Sequence, residues 1–147
     1  MSKLALPVLA VAAAAALVAG PQHFALSASF VPPPKAGAAG AVAVTFTARD
    51  PDVHINEEPA PRLTLDPEQK VLVDMQPPRP ARTGAVDPAK ARYLDLVLPV
   101  TFPVALAPGA PKGRQSVKAT VIYFYCSKTQ GWCRKGSTEI DVPVEVP

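Results

Sequence analysis

Apolar and polar positions alternate with a period of two along much of this chain, the signature of strands with one buried face. From Ala41 to Ala48, Val42, Val44 and Phe46 share one face and Thr45 and Thr47 the other. From Thr138 to Val146, Ile140, Val142, Val144 and Val146 alternate with Glu139, Asp141, Pro143 and Glu145. Ser116 to Cys126 is rich in β-branched and aromatic residues and reads as the strongest strand. Together these last two segments predict a hairpin. Tyr93 to Phe102 sets Leu94, Leu96, Leu98, Val100 and Phe102 on one face, while Pro99 and Pro103 interrupt its donors and predict an edge position. Shorter extended runs are expected at Val53–Asn56, Leu63–Leu65 and Val71–Met75. Turns are expected at Arg49-Asp50-Pro51-Asp52, Asp66-Pro67-Glu68-Gln69 and 107–113. Residues 76–90 hold four prolines and only Val86 as a large apolar side chain, which predicts a long surface loop.

Composition supports the same class. Nineteen prolines in 147 residues lie far above the usual share of about 5%. Each removes a backbone donor and clashes with the preceding helical turn, so long helices are disfavoured. The expected fold class is all-β, a sandwich of short strands. Net charge is +3, and the acidic and basic residues are interspersed. No basic stripe marks a nucleic-acid surface, so none is expected as a partner.

The first 20 residues read as a signal peptide. Lys3 supplies the positive end, Leu4 to Ala19 is an uncharged apolar run, and Gly20-Pro21 breaks it. As a helix that run reaches about 24 Å, short of the ~30 Å hydrocarbon core. Cleavage is expected after Val18-Ala19-Gly20, with Ala25-Leu26-Ser27 as a second candidate. Residues 21–40, containing Pro32-Pro33-Pro34 and a Gly/Ala run, are expected as a tether or irregular first strand, with His23 disordered beside the leader. Residues 41–147 then form the domain. No second apolar span follows, so no transmembrane segment is expected in the mature chain, and the location is periplasmic or secreted.

Cys126 and Cys133 are the two cysteines of the chain and flank the predicted hairpin turn. In an oxidising compartment such a pair forms either a structural staple, contributing about 2–3 kcal/mol for a loop of this length, or an exchange site. Exchange requires an accessible sulfur and a stabilised departing thiolate. Lys128, Arg134 and Lys135 are close in sequence and would favour a thiolate, with Glu139 the nearest acid. Tyr123, Tyr125 and Trp132 are expected to shield the sulfurs or offer a docking patch. His54 together with the cysteines would make a copper or zinc ligand set drawn from distant segments, against the plainer reading of a hydrogen-bonded structural histidine. Asp50, Asp52, Glu57 and Glu58 read as solvated turn residues. Ser116 and Ser127 lack the context of a hydrolase nucleophile, and no glycine-rich phosphate loop is present.

One family shares this order of features. Val53-His54-Ile55-Asn56 followed by Pro59 and Pro61, then Leu96-Val97-Leu98-Pro99-Val100, then Val121-Ile122-Tyr123-Phe124-Tyr125-Cys126 running into Gly131-Trp132-Cys133 and Ile140-Asp141-Val142-Pro143-Val144, resemble the N-terminal domain of the thiol:disulfide interchange protein DsbD and its stand-alone relatives. The resemblance spans the chain from about Val42 to the carboxyl end. It implies an immunoglobulin-like β sandwich in the periplasm, with Cys126 and Cys133 as the catalytic redox pair and Cys133 as the nucleophile. It implies no cofactor and no metal. The implied partners are thioredoxin-like or membrane thiol–disulfide proteins. The family's cap aromatic has no counterpart in Thr83-Gly84-Ala85-Val86-Asp87, and the six residues between the cysteines are one more than the family pattern. The other function class open to the chain is a non-catalytic envelope binding or accessory module stapled by the same disulfide.

Overall fold

The structure is a computed structural model, and it describes residues 23–35, 38–78, 87 and 89–147. The expected signal peptide at 1–20 and most of the expected 76–90 loop lie outside these residues. Among the described residues there are eight strands: β1 Phe24–Val31, β2 Gly40–Ala48, β3 Val53–Ile55, β4 Arg62–Leu65, β5 Leu72–Asp74, β6 Val100–Leu106, β7 Gly113–Ser127 and β8 Trp132–Val146. No helix is found among them, and so none long and apolar enough to cross a membrane.

The strands pack as a two-sheet β sandwich. One antiparallel sheet runs β1-β2-β6-β5. The other is built on β7, which pairs with β8 from Gly113↔Val146 to Ser127↔Trp132, and on its other side with β3 and β4. Alternation decides what enters the core. Val117, Ala119, Val121 and Tyr123 of β7 and Ile140, Val142, Val144 and Val146 of β8 meet Val42, Val44, Phe46, Phe102 and Val104 of the opposing sheet. The intervening residues of β7, from Ser116 through Ile122 to Cys126, face the other way, onto the outer surface of the sheet.

Three expectations change. The stretch expected as a tether contributes β1, whose register with β2 runs from Phe24↔Ala48 to Val31↔Ala41. Phe24 is buried in the core, and the second cleavage candidate, Ala25-Leu26-Ser27, falls inside this strand. Tyr93 to Phe102 is not one strand, because β6 begins only at Val100. Before it, Asp95 captures the backbone: its side chain accepts from Val97 N at 3.0 Å and its carbonyl from Leu98 N at 3.4 Å. This local turn wins over the alternating pattern and leaves Val97 86% and Leu98 66% exposed. Nor is β6 at an edge, since it lies between β2 and β5. Pro103 is tolerated there because its backbone faces β5, where Met75 N donates to its carbonyl at 3.0 Å just beyond the end of that strand. The missing donor therefore falls where the ladder has stopped.

The sides of the sandwich are closed by β1 lying against β8 and by Gln76. The Gln76 amide accepts from Leu63 N at 3.1 Å and donates to Leu63 O at 2.8 Å. It thus imitates a neighbouring strand along the free edge of β4. Toward the hairpin tip, Tyr123 lies opposite Gly136. A Cβ at residue 136 would come within 2.5 Å of the Tyr123 ring, so the ring occupies the space that any side chain would need. The same ring meets Phe24 and Phe46 edge-on, at 5.8 and 5.3 Å between centroids. Gly136→Val should therefore displace Tyr123 and cost about 1–3 kcal/mol as an overpacked core does. Urea unfolding should show a lower midpoint with an unchanged slope.

Candidate functional site at the hairpin tip

The β7–β8 register sets Cys126 opposite Cys133, and the two are joined as a disulfide. Asn56 N donates to Phe124 O and Lys128 N to Asp52 O. The even-numbered residues of β7 therefore turn their backbone groups toward β3. Cys126 and Cys133 consequently form a non-hydrogen-bonded pair, the type in which side chains approach most closely, with Cα atoms 4.0 Å apart. The strands are joined by Lys128–Gly131. Ser127 O accepts from Gly131 N at 3.1 Å, and Gly131 takes the left-handed conformation at φ 70° that its missing side chain permits.

Alternation also sets the disulfide on the outer face of its sheet, away from the core. Tyr123 and Tyr125 lie on the inner face, and Trp132 packs with Tyr125 edge-on at 5.8 Å. These rings were expected to shield the sulfurs, but they are across the sheet from them. The cations divide in the same way. Arg134 stacks over Trp132 with Cζ 4.2 Å from the ring centroid. Lys128 sits over Tyr93 with Nζ 5.0 Å from its centroid. Lys135, opposite Phe124, shares the strand face of the cysteines. His23, expected to be disordered, is placed: its ring lies 5.4 Å from Tyr125 and 5.8 Å from Trp132, and its Nδ1 lies 3.8 Å from Asp50 Oδ2.

The side chains that do surround the disulfide come from β3 and the segment beyond it. His54 is the register partner of Cys126. Asn56 follows on the same face and bridges to Tyr93, with Leu94 N donating to Ile55 O and Glu57 N to Arg92 O, each at 2.8 Å. Tyr93, expected to open a strand running to Phe102, instead brings an aromatic ring to this face, 5.1 Å from His54. Burial raises the Tyr93 phenol above its ordinary value, and the Asp52 carboxylate adds to the effect. It therefore stays protonated at neutral pH. Asp87, Ala89, Ala91 and Tyr93 face Lys128 and Gly131 across an open cleft. Another groove, at Thr64, Lys118, Thr120, Glu139 and Asp141, lies farther along the same sheet and is not lined by the cysteines.

The two sulfurs are not equivalent. Cys126 is 0% exposed, whereas Cys133 is half-buried. Asn56, also 0% exposed, places Oδ1 3.1 Å from Cys126 Sγ. Asn56 Nδ2 and Tyr93 Oη are buried without a hydrogen-bond partner. His54, Cys126 and Cys133 occupy three neighbouring strands, but the sulfurs are bonded to each other. Among the described residues no group of three or more His, Cys, Asp or Glu side chains is arranged to hold a metal ion.

Asp52 organises the tip, a role its reading as a solvated turn residue missed. Its carboxylate accepts from the Ser127 hydroxyl, from Thr129 Oγ1 at 2.8 Å and from Thr129 N at 3.0 Å. Ser127 Oγ in turn accepts from Gln130 N at 3.1 Å. Asn56, Tyr93 and Asp52 were invisible as a set because they converge only through the pairing of β3 with β7 and of Asn56 with Tyr93. The one local hint was the polar series His54, Asn56 alternating with buried Val53 and Ile55.

Comparison with protein-family models, curated proteins and solved structures finds no match to this chain.

The Ser127 hydroxyl first, and then Thr129, hold the Asp52 carboxyl below its ordinary range. Because the folded value is the lower one, this stabilisation is complete above the unfolded carboxylate range and is lost as pH falls through the folded value. Acidification below the ordinary carboxylate range should therefore loosen residues 128–130 before the sandwich unfolds. Asp52→Asn should loosen them at neutral pH and abolish that acid step. Amide chemical shifts of Thr129 and Gln130 between pH 6 and pH 2, a range chosen about the carboxylate pKa of ~3.9, would check both outcomes.

Proposed function

We propose that this domain carries out thiol–disulfide exchange in the periplasm through Cys126 and Cys133, in the manner of the DsbD N-terminal domains it resembles. The observation that carries this reading is the asymmetric disulfide on the outer face of the sheet, with Cys126 fully buried and Cys133 half-buried. A staple is most useful where it joins segments that would otherwise separate. Here the bond joins two residues already held opposite each other by a long hairpin, and it closes a loop with a sequence separation of only 7. A half-buried Cys133 on the outer face of the sheet suits attack by an incoming thiolate.

In this reading a partner thiolate attacks Cys133 Sγ. The Cys126–Cys133 bond breaks, its electron pair passes to Cys126 Sγ as thiolate, and a mixed disulfide forms between Cys133 and the partner. The second thiolate of the partner dithiol then attacks the partner's own sulfur in that mixed disulfide and releases Cys133 as thiolate. The partner leaves oxidised and this domain is left reduced, and the reverse sequence reoxidises it. The cleft lined by Asp87, Ala89, Ala91 and Tyr93 with Lys128 and Gly131 of the tip gives an incoming loop a place to lie. The partners are thioredoxin-like proteins or membrane-embedded thiol carriers.

Cys126→Ser, loaded at Cys133 as a glutathione mixed disulfide, should pass to the remaining cysteine of a thioredoxin-like partner whose second active-site cysteine is replaced by serine, releasing glutathione and leaving a persistent mixed disulfide detectable by non-reducing electrophoresis and mass spectrometry. Cys133→Ser, which leaves only the enclosed sulfur, should trap little or none. The wild-type disulfide should equilibrate with glutathione. A reduction potential below about −300 mV, with no trapping by either variant, would instead mark a non-catalytic envelope module with a structural bond.

A further inference from the structure

Asn56 is fully buried, yet it spends its amide on a sulfur that cannot hydrogen-bond to it in the ordinary sense. Its Oδ1 lies 3.1 Å from Cys126 Sγ, but a disulfide sulfur carries no proton to donate. Its Nδ2 has no acceptor at all. A buried, unpaired amide N–H costs about 1–3 kcal/mol, so the oxidised state leaves this group unsatisfied. The other buried orphan, Tyr93 Oη, belongs to the residue bridged to Asn56. Both lie on the face where the disulfide opens.

We infer that Asn56 is a positioning residue for Cys126, poised for the reduced state rather than the oxidised one. The inference rests on the exchange reading for its biological use but not for its chemistry. When a dithiol reduces the bond through Cys133, Cys126 is the departing sulfur. It leaves as a thiolate in a site that excludes water, where an unassisted thiolate is disfavoured. The two ends of a primary amide have nearly the same shape, and a half-turn about the final side-chain bond exchanges them. With Oδ1 toward the sulfur, Asn56 accepts from the Cys126 thiol. With Nδ2 toward it, Asn56 donates to the Cys126 thiolate. Either protonation state of reduced Cys126 thereby gains a partner that the disulfide lacks. The other ionisable groups on the elements packed around this sulfur are His54 of β3, Tyr93 of the bridged segment, Lys135 and Cys133 of β8, and Lys128, Asp52 and Asp87 near the tip. Asn56 places a polar atom within hydrogen-bonding distance of Cys126 Sγ.

The test uses the full folded domain with glutathione, which requires no physiological partner. In wild type, the Asn56 side-chain amide protons should shift on reduction. They should then titrate with the same apparent pKa as the Cys126 Cβ resonance. The oxidised protein, in which Cys126 carries no proton to lose, should lack that step. Asn56→Leu should move the equilibrium with glutathione toward the disulfide by about tenfold, the worth of one hydrogen bond. That is about 30 mV more negative for a two-electron couple. A folded Asn56→Leu protein whose equilibrium stays within about twofold of wild type, or amide protons indifferent to Cys126 deprotonation, would overturn the inference. Should the leucine variant fail to fold, the wild-type titration decides by itself. A protein that shows both effects with glutathione but never exchanges with a thioredoxin-like partner keeps this role for Asn56 and loses the exchange reading.

Discussion

The register that sets Ala119 opposite Ile140 in the core also sets Cys126 opposite Cys133 at the tip. Strand side chains repeat every two residues, so a slip of one position would turn all of β8 to the other face and expose its valines. Burial of Ile140, Val142, Val144 and Val146 therefore holds the cysteine pair in place from a distance. The same parity fixes the pair on the outer surface. Hydrophobic burial positions the disulfide without enclosing it in the core, and the enclosure it does have comes from β3 and the segment carrying Tyr93.

That arrangement separates two jobs within one hairpin. The inner face at the tip is packed with rings: Phe24, Phe46, Tyr123, Tyr125 and Trp132, with Arg134 over the last. These contacts hold the strands together independently of the disulfide. The outer face carries the sulfurs, His54, Asn56 and Tyr93. Asp52 and Ser127 tie the turn to the loop that precedes β3. The hairpin is thus braced on its inner face and at its turn by contacts that do not involve the disulfide.

Much of the fold was legible in the chain because alternation is a local signal. The β7–β8 hairpin, β2, β4 and β5 follow from which residues are apolar and how they are spaced. Two elements misled for physical reasons. In β1, Phe24 is the anchor, but it lies shortly after the apolar run of residues 4–19 and ahead of a proline run, so its segment read as a tether. In Tyr93–Pro99 the alternation is real, yet the Asp95 side chain and carbonyl bind nearby amides and turn the chain away from a ladder. The cysteine pair itself was legible. Its surroundings were not, because neighbours in sequence such as Tyr125, Trp132 and Arg134 lie across the sheet, while Asn56 and Tyr93 arrive through long-range pairing.

Whether the bond is labile can be read from how the native protein loses it. The rate of disulfide reduction by dithiothreitol should be measured against increasing, sub-denaturing urea. If the half-buried Cys133 sulfur is attacked in the folded domain, the rate will rise in proportion to dithiol concentration without saturating and will scarcely respond to urea. A rate that climbs steeply with urea and levels off at the unfolding rate would contradict this, since the bond would then open only when the sandwich does.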